Sequence, residues 1–306
     1  MQNIDDLNRR GFLHCMRWAG TGLLWTVTAG VPVSRLLGKG KKPAAVAGFS
    51  FIQISDSHIG FNKDVNPDVV ATLEETIAKI NAAPEQPEFL IHTGDITHFA
   101  KPAEFDTAGE ILKSAKTKDV FYVPGEHDVL SDQGKQYLDR YAGGREKGWY
   151  SFDHKGVHFI GLVNVLGMKE GWGTLGGEQS TWLEQDLAGR SSSTPIIVFA
   201  HIPLWAIYPQ WGWVTGDSER ALTAMKRFGS VTVLNGHIHQ TMQKVEGNVT
   251  FHTALSTAFP QPKPGAATGP GPMKVPQEQL RSMLGLTSVR YLQGENALAV
   301  VDSPLA

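Results

Sequence analysis

The pattern of this chain is clearest at residues 50–58, which read Ser50-Phe51-Ile52-Gln53-Ile54-Ser55-Asp56-Ser57-His58. The first six residues are rich in aromatic and β-branched side chains and predict a strand. An aspartate and a histidine follow directly. The same order, a strand and then titratable residues, recurs four more times along the chain. In an open α/β sheet, ligands bind at the carboxyl ends of the strands, so the five loops are expected to converge.

Strands and helices alternate through the body of the chain. The main strands are predicted at 50–55, 89–93, 120–123, 195–200 and 231–234, with helices at 67–82, 103–115, 177–188 and 218–227. A hairpin spans 149–163, and two further strands are predicted at 249–254 and 297–301. Helices that alternate with strands and hairpins predict an α/β protein, a four-layer α/β/β/α sandwich of mixed sheets.

Composition narrows the range of partners. The 306 residues include 28 basic and 30 acidic side chains. The chain therefore lacks the excess of basic residues that a surface binding nucleic-acid phosphates requires. We therefore expect no nucleic acid polymer as partner. The one cysteine, Cys15, lies near the N-terminus. Any metal in the body of the chain must therefore be held by histidines and carboxylates.

The N-terminal region is typical of an export signal. Arg9-Arg10-Gly11-Phe12-Leu13 precedes a mildly apolar stretch to about Leu37, as in a bacterial twin-arginine signal, and Ala45-Val46-Ala47 offers a cleavage site. This predicts a periplasmic or secreted protein that uses the twin-arginine export machinery, without stable membrane insertion. The alternatives are an amphipathic helix of a cytoplasmic protein and an uncleaved anchor.

The domain organisation follows from these segments. Residues 1–47 are predicted to be the signal peptide and linker, and residues 48–258 the catalytic domain. Residues 259–306 are predicted to be a loop rich in Pro and Gly with a C-terminal extension that completes the domain. The composition of 259–276 resists regular structure, so this loop should wrap the surface or cover the site.

Each of the five strands is followed by side chains that bind metals. Imidazoles and carboxylates suit Fe, Mn or Zn, and glycines at 94, 125 and 236 permit tight turns. A single Asp-x-His or loop histidine is weak evidence, but five such motifs in order are specific. The motifs are Asp56-Ser57-His58, Gly94-Asp95, Gly125-Glu126-His127-Asp128, Ala200-His201 and Gly236-His237-Ile238-His239.

These motifs, between residues 51 and 255, resemble the calcineurin-like metallophosphoesterase superfamily. The spacing is most similar to its cyclic-nucleotide and glycerophosphodiester phosphodiesterase branch. The resemblance implies the metallophosphatase fold and two divalent or trivalent metal ions (Fe, Mn or Zn). It also implies a ligand set divided between the two ions. One ion would be held by Asp56, His58, Asp95 and His239, and the other by Asp95, Glu126, His201 and His237.

The resemblance also implies a mechanism. Two cations would clamp the phosphoryl group and activate a water as hydroxide. His127 would contact the substrate phosphate or protonate the leaving oxygen, with Asp128 holding its tautomer. The chain departs from the pattern at Glu126, where the family has Asn. We expect Glu126 to remain a ligand and to shift the metal preference; alternatively it blocks the second site.

Three more residues are candidates for substrate contact: His98, Trp205 and Trp211. Each has a competing interpretation, since His98 can be an ordinary loop histidine and the tryptophans can pack a long loop. The other histidines, at 92, 154, 158 and 252, are interpreted as structural.

The prediction as a whole is an exported hydrolase of small phosphoesters, a phosphodiesterase or phosphatase. Its alternatives are a phosphomonoesterase or nucleotide pyrophosphatase, and a non-catalytic metal-binding protein with a degenerate site.

Overall fold

A computed structural model of the protein describes residues 22–28, 31–37, 48–292 and 298–306. The paired arginines, Cys15 and the predicted cleavage site lie outside these residues. Strands β1 (Gly22–Thr28) and β2 (Val31–Leu37) pair antiparallel. Within the described ranges, no helix is long and apolar enough to cross a membrane. The body of the protein forms one compact unit from Ala47 onward.

The first sheet has five strands in the order β13-β12-β3-β4-β5. Strands β3, β4 and β5 run parallel, with β5 at the edge, whereas β12 is antiparallel to both β3 and β13. The five strands span Gly48–Ile54 (β3), Phe89–His92 (β4), Asp119–Tyr122 (β5), Gly285–Leu292 (β12) and Ala299–Pro304 (β13).

The second sheet has six strands in the order β10-β11-β9-β8-β7-β6. The four inner strands are parallel, and each outer strand forms an antiparallel hairpin with its neighbour. The strands span Tyr150–His154 (β6), Val157–Gly161 (β7), Ile196–Ala200 (β8), Val231–Asn235 (β9), Gln243–Glu246 (β10) and Val249–Thr253 (β11).

Helices cover the outer face of each sheet. Helices α1 (Val69–Asn81), α2 (Pro102–Lys113) and α3 (Lys135–Tyr141) pack against the first sheet. Helices α4 (Gly176–Ala188) and α5 (Ser218–Met225) pack against the second. The described residues also form α6 (Gln277–Met283) and two 3₁₀ helices, Glu126–Val129 and Pro209–Trp211.

The two sheets meet face to face through aromatic side chains. Phe51 of β3 stacks on Phe89 of β4 at a centroid distance of 5.0 Å, and Phe159 of β7 meets Phe51 edge-on at 5.5 Å. Such pairs bury large apolar areas and favour offset or edge-to-face geometry. The order of layers is therefore helix, sheet, sheet, helix, which confirms the predicted α/β/β/α sandwich.

Sequence patterns did not predict β10, β12, α3 or α6. The most consequential is β12, because it pairs with β3, the strand that leads into Asp56. Its partner is more than 200 residues away in the chain, so the pairing depends on tertiary contacts rather than on a local pattern.

Candidate metal centre

The five predicted loops meet at the carboxyl ends of β3, β4, β5, β8 and β9, which belong to both sheets. Hydrogen bonds join them: the backbone N–H of Asp56 donates to the carbonyl of Gly94 (3.0 Å), and that of Gly236 to the carbonyl of His201 (3.0 Å). The sheets thus bring together all seven residues predicted as metal ligands. The ligand assignment itself remains a prediction.

One donor group consists of Asp56, His58 and His239. Nε2 of His239 lies 3.3 Å from Oδ1 of Asp56 and 3.3 Å from Nε2 of His58. All three side chains are buried. One potential ligand atom from each lies within 4.8 Å of the others, which is the spacing a single cation requires.

A second donor group consists of Glu126, His201 and His237. Oε2 of Glu126 lies 2.9 Å from Nε2 of His201, and its Oε1 lies 3.0 Å from Nδ1 of His237. The Glu126 and His237 side chains keep 23% and 12% of their surface exposed, whereas His201 is fully buried. The group therefore opens to solvent on the side of Glu126.

Asp95 lies between the two groups. Its Oδ2 is 3.5 Å from Nε2 of His58 and 3.4 Å from Nε2 of His201. Its Oδ1 accepts a hydrogen bond from the backbone N–H of His127 (2.9 Å). A carboxylate in this position can bridge two cations, as the resemblance implies.

The backbone at the site is strained. Five of the seven residues have left-handed φ angles, which side chains other than glycine seldom adopt. Strain of this kind costs of order 1–3 kcal/mol per residue and collects at functional sites. The five are Asp56 (φ 55°), His58 (43°), Asp95 (52°), His237 (70°) and His239 (53°).

The glycines of the motifs serve two different purposes. Gly94 has a φ of +95° and makes a left-handed turn, as expected. Gly236, in contrast, has no such angle; a Cβ there would lie 1.9 Å from Oγ of Ser55 and 2.7 Å from Oδ2 of Asp56. The space it leaves lets the loop of His237 approach Asp56, whose carboxylate accepts the backbone N–H of His237 (3.1 Å).

Hydrogen bonds orient three of the imidazoles. Nδ1 of His201 donates to the carbonyl of Thr93 (2.7 Å), and Nδ1 of His239 to the carbonyl of Phe259 (2.5 Å). Nδ1 of His58 faces Nδ1 of His98 at 3.2 Å. In each case Nε2 is left to face the centre, which is the usual arrangement of a histidine that ligates a metal.

The charges of the site favour a cation. Burial lowers the pKa of His201, but Asp95 and Glu126 outweigh it, so the pKa lies well above its usual value. For Glu126, burial raises the pKa, but His237 and His201 outweigh it, and the pKa lies well below its usual value. The carboxylates thus create a negative potential at the buried imidazoles.

The donor atoms of the second group fit a metal ion. Oε2 of Glu126 and Nε2 of His201 are buried; although they lie 2.9 Å apart, the contact lacks hydrogen-bond geometry, so neither atom has a hydrogen-bond partner. Buried polar atoms are normally satisfied, and an ion is one explanation for exceptions. Because the atoms are of the types that Fe, Mn and Zn bind, the residues present suit such an ion.

His127 lies at the site, but the prediction that Asp128 is its hydrogen-bond partner was wrong. Nδ1 of His127 donates to the carbonyl of His98 (2.7 Å), not to Asp128. The carboxylate of Asp128 is engaged by the backbone N–H groups of Ile96, Thr97 and Gly125 and by the Thr97 hydroxyl. Asp128 therefore fastens two metal-site loops together, because it follows one of them and its oxygens face the other.

The three candidates for substrate contact lie in different surroundings. His98 is at the centre, stacked on His127 at a centroid distance of 4.6 Å. Burial and His127 lower the pKa of His98 to about 4, so it is neutral near pH 7. Trp205 is partly buried and packs on Phe251 of β11, against the core between the second sheet and its helices, which agrees with the packing interpretation. Trp211 contacts Tyr208 and Trp213 within its own loop.

Sequence analysis missed Phe259 as a site residue. Its carbonyl accepts from His239, and its ring lies 4.8 Å from that of His58 and 4.4 Å from that of Phe61. The loop that begins there thus covers the first donor group, one of the two placements expected for it. A backbone carbonyl carries no signal in the sequence, so the contact itself could not be predicted.

Comparisons with known proteins agree with this geometry. The sequence model of the family described as calcineurin-like phosphoesterase matches residues 49–241. A probable glycerophosphodiester phosphodiesterase, GpdQ, of Arcobacter nitrofigilis is 27% identical over 218 residues, 67% of this chain and 77% of the relative. A probable cyclic nucleotide phosphodiesterase of Rhodococcus erythropolis is 24% identical over 216 residues, 69% of this chain and 71% of the relative.

Solved structures share the fold. A dimetal phosphatase from Danio rerio aligns with a TM-score of 0.62 and 14% identity, covering 84% of this chain and 96% of that chain. A purple acid phosphatase from yellow lupin aligns with a TM-score of 0.60 and 14% identity, covering 85% of this chain and 52% of that chain.

Proposed function

Because this chain belongs to the calcineurin-like phosphoesterase family, we propose that it is a two-metal hydrolase that prefers small phosphodiesters. The observation that carries the proposal is the pair of donor groups that share Asp95. The first consists of Asp56, His58 and His239, and the second of Glu126, His201 and His237. Metal ions bound there would clamp the phosphoryl group and would lower the pKa of a bound water to near neutral.

The protein's own residues position the substrate and move a proton. His127 lies at the edge of both groups, and its Nδ1–H is fixed by the carbonyl of His98, which leaves Nε2 for the substrate. Burial lowers the pKa of His127, but Asp95 and Glu126 outweigh it and raise the pKa above its usual value. These carboxylates favour the protonated imidazole, the form that can donate a proton to the leaving oxygen.

The charge of the site supports a preference for diesters. The carboxylates of Asp56, Asp95 and Glu126 carry three negative charges, against four positive charges on two divalent ions. The one positive charge that remains matches a diester, which carries one negative charge, better than a monoester, which carries up to two. Asn in place of Glu126 would leave one more positive charge. The two relatives are named as probable phosphodiesterases, which points the same way.

A two-substrate assay tests the proposal. Protein loaded with Mn²⁺ should hydrolyse bis(p-nitrophenyl) phosphate faster than p-nitrophenyl phosphate, and Asp95→Asn should abolish both activities. His154→Gln is the matched control, because His154 pairs with Glu88 away from the centre. Faster hydrolysis of the monoester would favour the phosphomonoesterase alternative. Two bound ions without turnover of either substrate would favour the non-catalytic alternative.

We also propose that the protein is exported by the twin-arginine route, either to the periplasm or to the exterior of the cell. The support is the sequence alone: Arg9-Arg10 before Phe12-Leu13, then a mildly apolar stretch. Residues 1–47 fused to a fluorescent reporter should direct it to the periplasm of a bacterium with this machinery. Replacing both arginines with lysine should retain the reporter in the cytoplasm. Export that survives this change, or no export of the unchanged fusion, would contradict the proposal.

A further inference from the structure

His98 belongs to a loop that runs alongside the loop of His58. The backbone N–H of His58 donates to the carbonyl of Asp95 (2.9 Å), and that of Ile59 to the carbonyl of Ile96 (3.0 Å). The backbone N–H of His98 then donates to the carbonyl of Ile59 (2.9 Å). These bonds extend the parallel pairing of β3 and β4 beyond the ends of the strands and place His98 beside His58.

The side chains of these two residues meet through their Nδ1 atoms, 3.2 Å apart. Only one of the two nitrogens can carry a proton if they are to hydrogen-bond. Nε2 of His58 faces His239 and Asp95, so the neutral ring that offers Nε2 as a ligand carries its proton on Nδ1. His58 is then the donor, and His98 must be the acceptor.

His58 differs in this respect from His201 and His239. Each of those histidines donates its Nδ1–H to a backbone carbonyl, which a change of side chain leaves in place. His58 instead meets the side chain of His98, and that contact is open to substitution. The imidazole of His98 is itself held in place by its neighbours. It stacks on His127 (4.6 Å, 15°) and lies edge-on to Phe61 (5.2 Å, 90°).

We propose that His98 is a positioning residue whose unprotonated Nδ1 accepts the Nδ1–H of His58 and so directs Nε2 of His58 toward the metal centre. The inference rests on the proposed function, because it takes His58 as a metal ligand. The carbonyl of His98 accepts from His127 as well, so one residue orients the metal ligand with its side chain and the proposed acid with its backbone.

Three substitutions separate this role from simple packing. Asn places an acceptor near the position of Nδ1, Gln places its polar group near Nε2, and Leu removes both. We expect His98→Leu and His98→Gln to weaken the binding of one of two Mn²⁺ ions by about 10–100-fold, the usual cost of losing a partner of a metal ligand. His98→Asn should bind Mn²⁺ nearly as tightly as the wild type. His154→Gln is the control.

The measurement is a titration of the metal-free full-length protein with Mn²⁺ alone, with free Mn²⁺ followed by electron paramagnetic resonance. Equal affinities of His98→Asn and His98→Gln, or wild-type affinity in His98→Leu, would overturn the inference while leaving the proposed function intact. Wild-type protein that binds no Mn²⁺ would overturn the proposed function and the inference together. If His98→Leu does not fold, the comparison of Asn with Gln still decides.

A spectroscopic measurement tests the same assignment without a substitution at His98. In the Zn²⁺-loaded protein, long-range ¹H–¹⁵N spectra should show His98 with an unprotonated Nδ1 and a protonated Nε2. A proton on Nδ1 of His98 would make it the donor and overturn the inference.

Discussion

At the scale of single residues, Glu126 distinguishes this chain from the pattern of its family. Its two carboxylate oxygens reach different histidines, His201 at 2.9 Å and His237 at 3.0 Å. A neutral Asn offers one oxygen and is one methylene shorter. The carboxylate therefore adds both a charge and a second donor atom to the more exposed half of the site, a combination that favours hard or trivalent ions.

Replacing Glu126 tests this contribution. Glu126→Asn should reduce the content of trivalent iron relative to Mn²⁺ or Zn²⁺, because the site loses one negative charge. When both proteins are loaded with Mn²⁺, it should also raise the activity on p-nitrophenyl phosphate relative to bis(p-nitrophenyl) phosphate. Metal content and the ratio of the two rates are the measurements. Glu126→Gln keeps the length and removes the charge, so it separates the two effects. Unchanged metal content and rates in both variants would contradict the prediction.

The contribution of His127 to the rate is expected to depend on the leaving group. His127→Gln should slow the hydrolysis of a diester with an alkyl leaving group by about 10²–10⁴-fold, the usual contribution of a general acid. Hydrolysis of bis(p-nitrophenyl) phosphate should fall much less, since p-nitrophenolate leaves without protonation. The comparison of kcat for the two substrates is the readout. Equal losses on both substrates would show that His127 binds the phosphate and does not protonate the leaving group.

At the scale of elements, a polar contact joins the two sheets away from the metal centre. His252 of β11 donates through Nε2 to Oδ1 of Asp302 on β13 (3.0 Å), and the hydroxyl of Thr287 on β12 donates to the same oxygen (2.6 Å). His252 is fully buried. Burial raises the pKa of Asp302, but the bonds from His252 and Thr287 outweigh it, so the pKa lies below its usual value.

This contact should make the unfolding free energy depend on pH in the acid range. Because the pKa of Asp302 is lower in the folded state, its contribution is present above the usual aspartate pKa of about 4 and is lost as the pH falls below it. Asp302→Asn should reduce the unfolding free energy at pH 7 by about 1–3 kcal/mol, because His252 loses its charged acceptor. Urea unfolding of both proteins should show this difference shrinking below about pH 4.

The exposed Asp119 of β5 supplies the control, since Asp119→Asn removes a carboxylate that the sheets do not enclose. A stability difference for Asp302→Asn that stays constant through the acid range would contradict the assignment.

At the scale of the whole molecule, the metal centre joins the two halves of the sandwich. Asp56, Asp95 and Glu126 follow strands of the first sheet, whereas His201, His237 and His239 follow strands of the second. Three carboxylates are thus gathered in one cleft, and two of them, Asp56 and Asp95, have left-handed backbone angles. Ions bound between them would offset both the repulsion and the strain.

Removal of metal should therefore destabilise the entire body. Binding at a free concentration about 100 times the dissociation constant stabilises the folded state by about 2.7 kcal/mol, or about 5–10 °C in Tm for a domain of this size. Calorimetry with and without a chelator should show this shift, and added Mn²⁺ should reverse it. In Asp95→Asn the shift should be much smaller. An identical Tm with and without chelator in the wild type would contradict a structural contribution of the ions.

The sequence was sufficient for the order of the main elements and for the residues that meet at the site. Strand patterns are local, and in each of the five loops the titratable side chains come within a few residues of a strand end. Since parallel strands share one edge for their carboxyl ends, order along the chain predicts convergence within a sheet. The resemblance to the family implied that the loops of the two sheets would also meet. The α/β/β/α sandwich and the meeting of Asp56, His58, Asp95, Glu126, His201, His237 and His239 could therefore be predicted without coordinates.

Other features depend on contacts between distant segments, and only the tertiary structure decided them. The pairing of β12 with β3 leaves no local pattern, and neither do the carbonyls of Thr93 and Phe259 behind His201 and His239. The partner of His127 is such a case: adjacency in sequence suggested Asp128, whereas the fold assigns the carbonyl of His98. Hydrogen bonds are directional and short, so the partner of a side chain is set by the packing of whole elements and not by its neighbours in the chain.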